Sequence, residues 1–160
     1  MSLPQLFVIG DSISMQYGPH LEKLVADRYT YTRRTGQEPP FANGAVSPNG
    51  GDSSRVLEYL KAMCAWDGFQ PQVLLLNCGL HDIKVTPETG VMQVSLEQYR
   101  DNLSQIIALL KGRPLKLVWV RTTPVDDERH NTHSKSFHRH QKNVLAYNAV
   151  ADDLMRAAGA

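Results

Sequence analysis

The sequence predicts an α/β fold: a three-layer α/β/α sandwich around a flavodoxin-like parallel sheet. Three observations carry the prediction. Short apolar runs of strand length recur along the chain, and residues 73–77 are apolar almost throughout, as a strand covered on both faces must be. These runs alternate four times with stretches of helical period, the pattern of parallel strands joined by crossover helices. Glycine-rich or polar segments follow the runs, where ligands bind in such sheets, outside the C-terminal ends of the strands.

Each element has its own reason. Residues 6–9, Leu-Phe-Val-Ile, form a buried strand that runs into Gly10-Asp11-Ser12. A helix is expected over about 18–26, with Leu21, Leu24 and Val25 on one side. Residues 29–32, Tyr-Thr-Tyr-Thr, are β-formers and make a short second strand. Residues 35–49 are rich in Pro, Gly and Asn and read as a long loop. Asp52, Ser53 or Ser54 caps the next helix, which carries Val56, Leu57, Leu60, Met63 and Cys64 at helical spacing. The strand at 73–77 follows. Leu96, Tyr99, Leu103, Ile106, Ile107 and Leu110 define an amphipathic helix that Gly112 and Pro114 end. Residues 115–120 form the fourth strand, residues 122–140 a polar, histidine-rich loop, and Val144 to Leu154 a last helix that runs out at Gly159.

The chain has 160 residues, enough for one domain spanning 1–160 with one good core. Its 17 basic and 16 acidic residues leave a net charge of +1, which argues against an extended nucleic-acid surface. No apolar run approaches a membrane span, and no basic region followed by an apolar stretch reads as a signal peptide. The chain as written reads as cytoplasmic, unless a native leader has been removed. Cys64 and Cys78 are expected to be small buried residues and not a disulfide framework.

The chemistry concentrates in three segments. In Val8-Ile9-Gly10-Asp11-Ser12-Ile13 a strand ends, a glycine permits a tight turn, and a serine stands where a helix begins. Backbone N–H groups at such a turn hold an oxyanion, and the serine hydroxyl faces the crevice. Asn49-Gly-Gly-Asp-Ser-Ser54 precedes a helix, and Leu75-Leu-Asn-Cys-Gly-Leu-His-Asp82 follows a strand. Read alone, Gly-Asp-Ser is an ordinary turn and helix cap. Asp11 and Asp82 are expected to bind backbone N–H groups and not to serve as acid–base groups.

Taken together and in this order, the three segments resemble the signature blocks of the SGNH (GDSL-type) serine hydrolases, over essentially the whole chain. The resemblance implies ester hydrolysis with Ser12 as nucleophile and no cofactor. It implies an oxyanion hole formed by the N–H groups of Ser12 and Gly51 and by the side chain at position 81. That position is normally Asn and here is His81, which still offers an N–H donor. The implied substrate is a small-molecule or carbohydrate ester with a small acyl group.

The resemblance also implies a fifth strand and a late Asp-x-x-His block that supplies the base. No such block follows the last helix of this sequence, so the domain is expected to be C-terminally incomplete, with its final strand region missing. Asp127-Glu-Arg-His130 has the spacing but stands too early, after the fourth strand. It is read as a decoy in a loop that shapes the pocket. The alternatives are a short variant that recruits another histidine, and a catalytically incomplete domain that binds ligand. An exposed sheet edge would favour pairing with another chain. His130, His133, His138 and His140 invite a metal reading, but no Cys or fixed-spacing carboxylate accompanies them, so no metal is expected. His20, two turns after Ser12, is expected at the surface. A flavodoxin- or receiver-like signalling domain fails for want of a phosphate loop and of an acidic cluster paired with a lysine.

Overall fold

The computed structural model describes residues 2–42, 44 and 46–160. Four strands, β1 (Gln5–Ile9), β2 (Thr30–Arg33), β3 (Val73–Leu76) and β4 (Lys116–Trp119), form one parallel sheet in the order β2-β1-β3-β4. Leu6, Phe7, Val8 and Ile9 of β1 register against Val73, Leu74, Leu75 and Leu76 of β3. The helices are α1 (Ser12–Val25), α2 (Ser53–Ala65), α3 (Leu96–Leu110), α4 (Asp127–His133) and α5 (Gln141–Ala158). The step from β1 to β2 runs one way along the sheet, and the steps to β3 and β4 run the other. Right-handed crossovers therefore put α1 on one face and α2 and α3 on the opposite face, giving three layers.

The main core lies under α2, α3 and α5. Alternate strand residues Phe7, Ile9, Leu74 and Leu76 point into it and meet Val56, Leu60, Leu103, Ile106 and Val150. The rings of Tyr99 on α3 and Tyr147 on α5 lie 4.9 Å apart, and the Tyr147 hydroxyl donates to the Val94 carbonyl. Both cysteines are free; Cys78 is buried and Cys64 half-buried. Among the described residues, no helix is long and apolar enough to cross a membrane.

Three expectations need correction. The first helix begins at Ser12, six residues before the expected start near Gly18. The Asp11 carboxylate caps it by accepting from the Ile13 N–H at 2.9 Å. Gly18 and Pro19, which look like breakers, sit inside this helix. Gly18 faces β2 side chains, and a Cβ there would stand 2.7 Å from the Tyr31 hydroxyl. The second strand is displaced by one residue, to 30–33. Finally, residues 122–140 are not all loop. Asp126 accepts from the Arg129 N–H at 3.0 Å and starts α4, seven residues long and without a buried side chain, so no apolar period betrays it. Among its described residues the loop at 35–49 contains one 3₁₀ turn, Pro39–Phe41; Asn43 and Ala45 lie outside the described residues.

Candidate active site

The three segments singled out in the sequence meet at the C-terminal end of the sheet. Gly10 follows β1, and its carbonyl accepts from the Gly50 N–H at 2.9 Å. Both glycines sit in tight surroundings, Gly50 against Gly10 and Gly10 against Ser14. A Cβ on Gly50 would stand 3.0 Å from the Gly10 carbonyl oxygen, and one on Gly10 would stand 2.7 Å from the Ser14 Cβ. The turn after β3 is tied to the second segment through Asp82. Its carboxylate is fully buried and accepts from the Ser53 N–H at 3.0 Å and from the Ser53 hydroxyl. Asn102 on α3 completes the network by donating to both the Ser53 and Ser54 hydroxyls at 2.9 Å. Burial pushes the Asp82 carboxyl up to about 6, against the pull of the Ser53 bonds. Asp82 therefore joins segments, and Asp11 caps α1.

Ser12 is exposed as the first residue of α1. Its N–H donates to no group among the described residues, as befits the first turn of a helix. Gly51 holds a positive φ of 73°, which its lack of a side chain permits. Its N–H is engaged, donating to Asn49 Oδ1 at 2.9 Å. An oxyanion at this position would compete with that amide. His81 is half-buried in the turn after β3, and its ring makes no hydrogen bond to the described residues. Burial lowers its pKa, and the nearby cations Lys84 and Arg139 lower it further. The ring is thus held neutral, with one N–H to donate.

The remaining histidines are placed differently from a serine–histidine pair. Asp127 does not bind His130. Its carboxylate takes the Gln141 N–H at 2.6 Å and His140 Nδ1 at 3.0 Å, so it holds the start of α5. His130 Nε2 is buried without a partner, and the ring leans on Phe137 with centroids 5.5 Å apart. His133 Nδ1 bonds the Arg129 carbonyl at 2.7 Å. His138 pairs its backbone with Val85 through two bonds of 2.8 Å. His20 is exposed on α1. Among the described residues, no three His, Cys, Asp or Glu side chains converge as a metal-holding group.

A cleft of about 770 Å³ is lined by Ile13 and Leu80, which adjoin Ser12 and His81 in sequence, and by the segment from Thr123 to Arg139; Ser12 and His81 themselves are not among its lining residues. Two asparagines fix that segment at its ends. Asn148, buried on α5, donates to the Thr122 carbonyl at 2.9 Å and accepts from the Thr122 N–H at 3.0 Å. Asn131 on α4 makes the same reciprocal pair with Arg139, at 3.0 and 2.9 Å. Sequence reasoning missed Arg139. It lies in a stretch where four histidines draw the eye, and its role comes from a distant contact: Nε donates to the Leu80 carbonyl at 2.7 Å.

A scan against protein-family models finds no match, and a search of curated proteins finds none. Solved structures do match. A psychrotrophic esterase, EstA from Pseudoalteromonas sp., superposes with a TM-score of 0.61 at 12% identity, over 98% of this chain and 74% of the esterase. Esterase AlinE4, solved as a single-site variant, gives 0.63 at 18% identity, over 100% of this chain and 75% of that one. A GDSL-like lipase from Bacteroides thetaiotaomicron gives 0.62 at 13%, over 99% and 69%. The chain shares its fold with these esterases and with the GDSL-like lipase. Within that fold the Gly10–Ser12, Gly50–Ser54 and Gly79–Asp82 turns stand together at the carboxyl end of the sheet, in the order the sequence resemblance implied.

Proposed function

We propose that the chain is a serine hydrolase acting on carboxylic esters. The exposed Ser12, at the start of α1 with its own N–H unused, carries the reading. Ser12 Oγ attacks the ester carbonyl carbon as its proton passes to a base. The carbonyl oxygen, now an oxyanion, takes the Ser12 N–H, the Gly51 N–H released from Asn49, and the neutral His81 ring N–H. Collapse expels the alcohol, which takes up the proton, and water then cleaves the acyl-serine by the same route. The base is proposed to come from outside residues 1–160. His130 is buried at Nε2 and has no carboxylate to orient it, and the carboxylate beside His140 is shared with the α5 N-terminus. A small acyl ester, on a small molecule or a carbohydrate, suits the open cleft.

A second reading, a domain that binds ligand without turnover, is favoured by that same absence of a carboxylate-oriented histidine lining the cleft among the described residues. Hydrolysis of p-nitrophenyl acetate separates the two, with and without added imidazole as an external base and with Ser12→Ala as the control. Turnover above the Ser12→Ala background, raised by imidazole, is the expected result. Identical rates for the two proteins at every imidazole concentration would leave the binding domain as the better reading.

A further inference from the structure

We propose that the cleft lined by Ile13 and Leu80 binds a carboxylate, with Arg139 as the residue that receives it, so that the preferred esters are anionic. The inference rests on the hydrolase reading for the word ester; the carboxylate site itself stands on geometry.

The cleft has an unbalanced charge. Arg129, Lys135 and Arg139 line it, together with His130 and His133, against the single carboxylate Asp126. Asp126 is already engaged as the cap of α4. None of the three cations forms an ion pair with the described residues. Arg139 stands out because it is half-buried while the other two belong to the rim. A half-buried guanidinium without a counter-ion carries a desolvation cost that an arriving anion would offset. Burial lowers its pKa, offset in part by the field of Asp11, which makes no ion pair with it.

The arrangement is also directional. Nε is committed to the Leu80 carbonyl, and the Asn131 clasp fixes the Arg139 backbone. The guanidinium packs on the Phe137 ring at 4.8 Å, with Lys84 over the same ring at 4.7 Å. That leaves the two Nη groups, which donate to nothing among the described residues, as a planar donor pair on a residue that lines the cleft. Two parallel N–H donors match the two oxygens of a carboxylate. Leu80 neighbours His81, so an anion on Arg139 lies on the side of the cleft where the reacting ester is expected.

The test uses the 160-residue chain and a pair of non-hydrolysable probes, 4-acetamidobenzoate and its neutral isostere 4-acetamidobenzamide, titrated by nuclear magnetic resonance. The anion is expected to bind about tenfold more tightly, the return from one charge-assisted contact in a partly desolvated site. Arg139→Met, which keeps length and packing, is expected to abolish the difference, and Arg139→Lys to retain part of it. Equal affinities for the two probes in the wild-type protein would overturn the proposal without any variant. So would a preference that survives in a folded Arg139→Met or that Lys135→Met removes instead. Should Arg139→Met not fold, Arg139→Lys decides: an undiminished preference counts against the site. Because no probe is hydrolysed, the outcome is independent of the Ser12 assay. Anion binding without Ser12-dependent turnover would keep the site and discard the esterase.

Discussion

The Asp82 carboxylate accepts from both the backbone N–H and the hydroxyl of Ser53, joining the turn after β3 to the first turn of α2 across 29 residues of sequence. The contact is buried, so it ties ionisation to folding. Burial raises the Asp82 carboxyl from 3.8 to about 6. A folded-state pKa above the unfolded value means that the stabilising contribution is full below about pH 4 and is lost as pH rises through 6. Ionisation then costs about 3 kcal/mol. Asp82→Asn keeps an acceptor for Ser53 without the charge. The stability of wild type relative to Asp82→Asn, followed by urea melts from pH 4 to 7.5, is expected to fall across pH 4–6 and level off above. A gap constant with pH would refute this account.

Gly79→Ala is expected to be severely destabilising. Gly79 has a φ of 142°, and a Cβ there would stand 2.2 Å from Thr122 Oγ1. That oxygen is held in turn against the Cys78 carbonyl at 3.3 Å. Strain and overlap together are expected to cost about 3 kcal/mol, seen as a lowered denaturation midpoint. Thr122→Ala in the same chain should recover only the overlap.

His81 gives a graded prediction once Ser12-dependent turnover is in hand. His81→Ala removes a donor to the oxyanion and is expected to lower kcat by about a hundredfold or more, while His81→Asn retains most of the rate. The His81 pKa is depressed by burial, Lys84 and Arg139. Its contribution to folding is therefore present above the unfolded value of 6.5 and is lost as pH falls through the lower folded value. Melting temperatures of wild type and His81→Asn should converge towards acid pH. Equal kcat for His81→Ala and wild type would remove the ring from the oxyanion hole.

Asn131→Ala tests the clasp on Arg139. Global stability is expected to change little, because α4 buries no side chain. Hydrogen exchange at residues 137–140 should quicken, and the anionic probe should lose about fivefold in affinity, the equivalent of one net hydrogen bond of about 1 kcal/mol. Unchanged exchange there would mean that the backbone is held by other contacts.

Much of this arrangement is legible in the sequence because it is written locally. The apolar run at Val73–Leu76 and the period of Leu96–Leu110 reflect burial, which composition records directly. The Gly10, Gly50 and Asp82 turns are readable because close backbone approach admits few residue types. Other features depend on partners far along the chain. Gly18 and Pro19 look like a helix break until Tyr31 is seen across from Gly18. Asp127 and His130 have a catalytic spacing, yet Asp127 turns to His140 and Gln141 because α5 begins beside it. Arg139 reads as one more surface cation until Leu80, 59 residues away, is found accepting from its Nε.

The two asparagine clasps have a thermodynamic consequence for any ligand of the cleft. Asn148 and Asn131 stand in for paired strands at Thr122 and Arg139, so the wall between them takes its shape when the chain folds. A ligand meeting such a wall orders few residues on arrival. Its entropy of binding should then reflect water released from the guanidinium and the Phe137 ring, with little opposing loss from the backbone.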